Sequence, residues 1–501
     1  MPNVLTRKLA LFIVALLGLM VAGCANSENE SSGPIDPGLS DEAIAQLSED
    51  AFYWGLNIAG FYELRYVFTQ QEGQPAYRGI NRLKPDVQLY DASMRFATTV
   101  NASTLYSGGF FDVSEEPVVI QTPRVPDDRY WSVQLGDHNA DWFFTAGSQF
   151  GADADQRYLV VGPRWRGELP PGFAGTNIIR ATSDSFVLAT RVEVTTRTEE
   201  DLAAARSVVT GVGAVPLSVW AEHGGRIPPL DQQPVVKADY EAFPRMSEIA
   251  DIGRSMTAVD YLQLLSLAIN DPSITKRTDS VKETQTLQRL ESLGLRAGET
   301  FDPNGLSDSQ IDQLNRGFDR ARKNARTAFA DSQIDMNGWR LQSSLFFDDL
   351  DYVAKAGADD VAWGTPVPYE SHTIAFQFDD SQGQTLDGDH RYTLTFDMAN
   401  LLPVTEFWEL PVYDSAGYFI DNPVDRYSVT SAGLAAGQYT VEDGKLTLYL
   451  QPAPPADPDQ LRNWLPTPAG DTFQLAARFY GPTSGLLDGT YPMPKPVRTN
   501  N

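Results

Sequence analysis

Apolar and polar positions along this chain change period several times, and each change marks a region. From Ser40 onward, Ile44, Leu47, Ala51, Trp54, Ile58 and Phe61 recur every three or four residues, the spacing of one helix face. Ser40 stands where a hydroxyl can cap the first free N–H groups, and Asp41 and Glu42 put negative charge at the positive end of the helix dipole. The pattern predicts an amphipathic helix to about Gln70, packed on the body of the protein. Between 101 and 194 the runs become short and β-rich, at 117–121, 130–135, 142–145, 158–161, 177–180 and 186–194, with Pro and Gly between them. That rhythm predicts an antiparallel sandwich or barrel.

Helix periodicity returns at 199–209, 257–269, 281–293 and 306–330, broken at Pro272, Gly294 and Pro303. Beyond His372 the chain alternates again. Leu446, Leu448 and Leu450 interleave with Lys445, Thr447 and Tyr449, and Phe473, Leu475, Ala477 and Phe479 with Gln474, Ala476, Arg478 and Tyr480. Such alternation is that of half-buried strands. His372, Ile374, Phe376 and Phe378 share one strand face in the same way. The fold class is α+β, mostly β: an N-terminal helix, a β domain, a helical segment and a second β domain, with no solenoid-type repeat.

The amino terminus has a different chemistry. Arg7 and Lys8 precede an uncharged run from Leu9 to Gly23, which has the form of an export signal. It is short of the roughly 20 apolar residues that span a bilayer. Val21, Ala22, Gly23 and Cys24 read as a lipobox, with cleavage before Cys24 and diacylation of its thiol. Cys24 is the only cysteine of 501 residues, so no disulfide or zinc thiolate site accounts for it. Two or more acyl chains, at about 0.8 kcal/mol per buried CH₂, anchor firmly. Ala25, in place of an Asp after the cysteine, points to the outer membrane, on either its periplasmic or its outer side. The expected divisions are a signal peptide at 1–23, a flexible tether at 24–39, the helix and first β domain at 40–197, a helical connection at 198–370 and the second β domain at 371–495.

Composition narrows the partners. With 39 basic residues against 66 acidic ones, the formal charge is −27. Nucleic acid is an unsuitable partner for such a chain, and an anionic membrane surface repels it, so lipid rather than charge must hold it there. The four histidines, His138, His223, His372 and His390, are scattered and lack metal-site spacing, so no cofactor is expected. Calcium stays open through the acidic pairs Asp153, Asp155 and Asp387, Asp389, although tight surface turns explain them better.

Several motifs carry a family resemblance. RYTLTF at 391–396, FWELPVYD at 407–414, NPVDRY at 422–427, NWLPTP at 463–468 and RFYGP at 478–482 resemble, in order and spacing, the domain of unknown function numbered 1214. NASTLY at 101–106, EPVVI at 116–120, RYW at 129–131 and VGPRW at 161–165 resemble its usual partner, the domain of unknown function numbered 1254. The resemblance, over roughly 50–495, implies exported proteins with two jelly-roll-type β domains joined by helices and no agreed reaction. Related proteins carry Asp where Ser103 stands here and Ser where Glu409 stands.

Asn101, Ser103, Thr104 and Tyr106 form a polar cluster before what reads as a Gly108-Gly109 turn, and they are candidates to line a pocket mouth. Asp137 and His138 sit between two aromatic-rich strands, where an open pocket would let them act as acid and base. Glu409 shares a strand face with Phe407 and Tyr413, a carboxylate among rings that suits sugar binding or, given a second carboxylate, glycoside hydrolysis. Ser103 has no local base and no nucleophile-elbow motif. The leading expectation is an envelope-anchored protein that binds a saccharide or other small molecule. The alternatives are a carboxylate-based hydrolase of glycans or esters and a structural envelope protein.

Overall fold

The computed structural model describes residues 33–95, 97–150, 155–246, 256–274, 281–342, 351–362 and 371–499. The signal sequence, Cys24, most of the tether and Asp153 lie outside the described residues. Ser40 caps the first helix, its Oγ accepting the Ala43 N–H at 3.3 Å, and helix α1 runs Asp41–Thr69. It packs on the body as expected, but on more than the one face that the apolar stripe marks. Phe52 and Phe61, nine residues and so half a turn of azimuth apart, are both fully buried. A helix buried on opposite sides is the axis of a layer and not a strap laid over one.

The first β domain holds two sheets. Strands β1 (Lys84–Asp86), β2 (Thr104–Asp112), β4 (Trp131–Gly136), β5 (Trp142–Gly147) and β8 (Ser185–Glu193) form one, in the order β1-β2-β8-β4-β5. Strands β3 (Val118–Gln121), β6 (Arg157–Val161), β7 (Ile178–Arg180) and β9 (Gly213–Pro216) form the other, in the order β7-β6-β3-β9. Leu105, Phe111, Val133, Phe186 and Leu188 fill the space between them, with Ala205 and Val208 of helix α2 (Glu199–Gly211). Gly108 and Gly109 do not turn the chain, contrary to their reading from sequence. They lie inside β2, opposite Ala189 and Leu188 of β8. Glycine is needed there because a Cβ at Gly109 would run into the Arg82 carbonyl.

Past a short helix α3 (Leu217–Glu222), the connecting region builds a helical layer around α1 from α4 (Ala258–Asn270), α5 (Val281–Leu290), α6 (Asp308–Ser332) and α7 (Tyr352–Ala362). Helix α6 opens with a capping box between Ser307 and Gln310. Its buried stripe, Leu314, Gly317, Phe318, Ala321 and Ala325, faces α1 and joins Phe61, Tyr261 and Leu265 in one core that also takes Phe110 and Val187 from the first sheet.

The second β domain is a sandwich as well. One sheet joins β10 (Ile334–Met336), β11 (Trp339–Leu341), β12 (His372–Gln377), β18 (Phe473–Tyr480), β14 (Trp408–Asp414) and β15 (Ser428–Thr430) in that order. The other has the order β17-β16-β13-β19, from β13 (Arg391–Asp397), β16 (Lys445–Gln451), β17 (Trp464–Pro466) and β19 (Val497–Thr499). Leu394, Leu410, Leu448, Leu475 and Phe479 meet between the sheets, on the faces the alternation predicts. The pairing is antiparallel apart from β6 with β7 and β16 with β17, which run parallel. Two sequence motifs close this domain: Arg426 donates to the carbonyls of Leu461, Arg462 and Trp464, and the Trp464 indole donates to Gln451 at 2.8 Å.

Candidate functional site: a cleft between the two β domains

Strand alternation leaves each main sheet with a second face. On the first domain that face carries Tyr106 and Arg191, directly opposite each other on β2 and β8. On the second it carries His372, Ile374 and Phe376 of β12, Gln474, Arg478 and Tyr480 of β18, and Glu409 and Tyr413 of β14. These two faces meet. Phe407 stacks on Tyr480 at 4.0 Å between ring centres, and Tyr130 packs edge-on to Tyr480 at 5.1 Å. Asn101 Nδ2 donates to the Tyr480 hydroxyl at 2.9 Å, the Ala102 N–H to Glu409 Oε1 at 3.0 Å, and the Tyr413 hydroxyl to the Val100 carbonyl at 2.7 Å. A stretch leading into β2 is thus stitched across two strands of the other domain, β14 and β18.

Beside this junction the two faces separate, and helices α6 and α7 close the side. The result is a cavity of about 880 Å³, within the range that takes small organic ligands. Among the described residues five guanidinium groups line it, Arg191, Arg322, Arg326, Arg340 and Arg478, against one carboxylate, Asp360. Tyr106, Phe329, His372, Ile374, Phe376 and Phe378 supply rings and apolar surface. Asp360 pairs with both Arg322 and Arg326. Arg478 donates to the Thr99 carbonyl and to the Tyr413 hydroxyl, and Glu409 lies across from it in strand register. Arg191 donates to Gln134, a neutral acceptor, and lies over the Tyr106 ring at 5.9 Å.

Burial sets the charge states. His372 packs against Tyr480 at 4.5 Å between ring centres. Burial first, then Arg478 and Arg191, push its pKa well below the usual imidazole value, so it is neutral near pH 7. Burial raises the Glu409 carboxyl, with Arg478 opposing it. His372 Nε2 and Arg478 Nε have no hydrogen-bond partner among the described residues, which for buried polar atoms is costly unless something else arrives.

The structure gathers some of the residues singled out in the sequence and scatters others. Asn101, Phe407, Glu409 and Tyr413 are buried in the junction, and only Tyr106 of the candidates lines the cleft. Ser103, buried with its N–H on Asn101 Oδ1 at 2.6 Å, faces a separate small pocket of about 120 Å³ with Arg197 and Thr430. Asp137 and His138 are elsewhere. Asp137 accepts the N–H of Asn139 and the Thr182 hydroxyl, holding a turn, while His138 lies edge-on to Phe61 of α1 at 6.3 Å. Arg191, Arg322, Arg326, Arg340 and Arg478 were not candidates. Arg478 and Tyr480 could have been, since they alternate with core residues of β18, yet a solvent-facing side is the ordinary reading of such positions. Among the described residues, no group of three or more His, Cys, Asp or Glu side chains is placed to hold a metal ion, and no helix is long and apolar enough to cross a membrane. Asp387 Oδ1 accepts the Asp389 N–H at 2.8 Å, as in a tight turn.

Comparison with known proteins gives a fold and two domains. The chain is similar over 91% of its length, and all of the other's, to the crystal structure of the VPA0106 protein from Vibrio parahaemolyticus, with 21% identity and a TM-score of 0.64. It aligns more distantly, at 11% identity and a TM-score of 0.40, with a putative uncharacterized protein from Burkholderia cenocepacia, over 91% of this chain and 94% of that one. No curated protein matches its sequence. Residues 80–216 match the family described as protein of unknown function DUF1254, and residues 371–484 the one described as protein of unknown function DUF1214. The junction and the cleft are therefore built where these domains face each other, and the chain is a protein that carries a DUF1254 domain followed by a DUF1214 domain.

Proposed function

We propose that this is a lipid-anchored envelope protein that binds a small organic molecule, a saccharide or another, in the cleft between its two β domains. The observation that carries the reading is the cavity itself. It is large enough for such a ligand, walled by rings and bounded by convergent polar groups from both domains and from α6. Glu409, the carboxylate a hydrolase would need, is absent from the cleft lining and is engaged by the Ala102 N–H, so nothing favours the hydrolase reading over binding. We take both sandwiches as jelly-roll-type domains, a reading supported by sheets that draw their strands from distant parts of the chain.

Isothermal titration against a set of small acids, alcohols and sugars tests the binding reading, and silence across the set would sink it. The anchor is tested separately by Cys24→Ser and detergent phase partitioning. The variant is expected to leave the detergent layer, and its persistence there would overturn the lipid.

A further inference from the structure

The cleft's charge is out of keeping with the rest of the molecule. A chain of formal charge −27 gathers five arginines around one cavity and, among the described residues, places a single acid in its lining. Asp360 offsets part of the charge on α6, where it pairs with Arg322 and Arg326, and Glu409 stands behind Arg478. Asp335 likewise lies across from Arg340 in strand register, so two positive charges remain among the described groups. Among the described residues Arg191 donates to the neutral amide oxygen of Gln134, and Arg340 lies 5.7 Å from the Phe378 ring. Guanidinium groups gathered around one cavity repel each other unless an anion lies between them.

Unmet polar atoms line the cavity on α6 and α7, at Arg322 and Asp360, and on the sheet of the second domain. Arg478 is 9% exposed and His372 8% exposed, and the Nε of one and Nε2 of the other lack partners among the described residues. Both Arg191 and Arg478 act electrostatically on His372, so these groups face a common region. A neutral imidazole can donate one N–H there beside the guanidinium donors, a set that matches the acceptor-only oxygens of an oxyanion. From His372 the same strand face continues through Ile374 and Phe376 to Phe378, a run of about 20 Å at the rise of an extended strand. Phe376 and Phe378 stack at 6.2 Å, and Phe329 and Ala330 of α6 line the same cavity. Polar head and apolar wall follow each other along one strand.

We infer that the cleft takes an amphiphilic organic acid, its oxyanion head held by Arg191, Arg478 and His372 and its apolar body laid along Ile374, Phe376 and Phe378. This rests on the binding reading above and goes further by naming the ligand's chemistry. A neutral saccharide offers no charge for the arginines, and a hydrophilic acid leaves the apolar wall wet.

Calorimetry on the described chain with five probes decides it: decanoate, decanol, acetate, glucuronate and maltose. Decanoate is expected to bind at least about tenfold more tightly than each of the others, since charge-assisted hydrogen bonds and apolar contact each contribute at that scale. Decanol, glucuronate or maltose binding as well as decanoate overturns the amphiphilic acid and leaves the binding reading standing. Failure of all five probes counts against both. Arg191→Gln is expected to weaken decanoate about 10- to 100-fold and leave decanol unchanged, and an unchanged decanoate affinity overturns the assignment of the head. Should that variant not fold, the wild-type affinity for decanoate between about 50 and 500 mM salt replaces it, because an ion-paired head weakens with screening and an adventitious apolar contact does not.

Discussion

Two buried arginine centres in this protein are built on opposite terms. Arg65 of α1, 1% exposed, is fully answered: it pairs with Asp271 at 2.6 Å, donates to Ser185 and Ser273, and stacks on Tyr240 at 3.6 Å and Tyr62 at 4.3 Å. Burial raises the Asp271 carboxyl, but Arg65 and the Tyr62 hydroxyl more than offset it and hold the group below its usual range. The cleft arginines have fewer answers. Among the described residues, Arg478 leans on a carbonyl and a hydroxyl and keeps an unpartnered Nε, and Arg191 leans on an amide. A centre with every donor met serves folding. One left short, in a cavity, keeps donors for something that comes and goes.

Breaking the Arg65 centre should have the largest effect. Asp271→Ala leaves a buried guanidinium without its anion, and chemical denaturation is expected to show a loss of about 3–5 kcal/mol. A loss under about 1 kcal/mol would erase the distinction between the two centres.

Next in size is a carboxyl at the domain junction. Glu193, on β8 two residues from Arg191, is held at about 7, because burial outweighs the Tyr130 N–H and Arg129 that favour its charged form. Between pH 4.5 and 7 the folded state keeps a proton that the unfolded state has released, so stability falls as pH rises through that window. The fall amounts to about 3 kcal/mol. Glu193→Gln should flatten it and leave the variant more stable than wild type above pH 7. Parallel slopes for the two proteins would show that this group does not titrate in that range.

Glu409 comes third. Glu409→Ser deprives the Ala102 N–H and Arg478 of their carboxylate, with an expected loss of about 1–3 kcal/mol. Ser103 lines one small pocket with Thr430, the register partner of Glu409, so an acid at 103 would enter the same neighbourhood from the other domain. Adding Ser103→Asp to Glu409→Ser should then restore part of the loss, and a double-mutant cycle with no coupling would argue that the two sites are independent.

The smallest change in stability belongs to the cleft. Arg191→Gln should shift the folding free energy by less than about 1 kcal/mol, since its partner is neutral, while decanoate binding collapses. A stability loss as large as that of Asp271→Ala would return Arg191 to the structural class.

How much of this was legible in the sequence follows from the range of the forces involved. The Ser40 cap and the extent of α1 to Thr69 depend on neighbours within a few residues, and both were readable. So was the alternation that sends Leu475, Ala477 and Phe479 into the second core. Within the NWLPTP motif, Asn463 holds a loop, its Nδ2 donating to the carbonyls of Thr440 and Thr447 at 2.7 and 2.9 Å. The Gly108-Gly109 reading failed because a glycine pair looks the same whether it turns the chain or lets a distant carbonyl approach, and the Arg82 carbonyl comes from a separate segment.

The site was hidden for the same reason. Alternation determines that Arg478 and Tyr480 lie on the face of β18 away from its core, but it cannot say whether water or another domain covers that face. Here the first domain covers part of it and leaves the rest as a cleft, gathering Arg191, Arg340 and Arg478 from positions up to 287 residues apart. Period, caps and local turns were written in the chain order. The convergence of like charges was decided only by the packing of one sheet on another, where burial makes each charge matter.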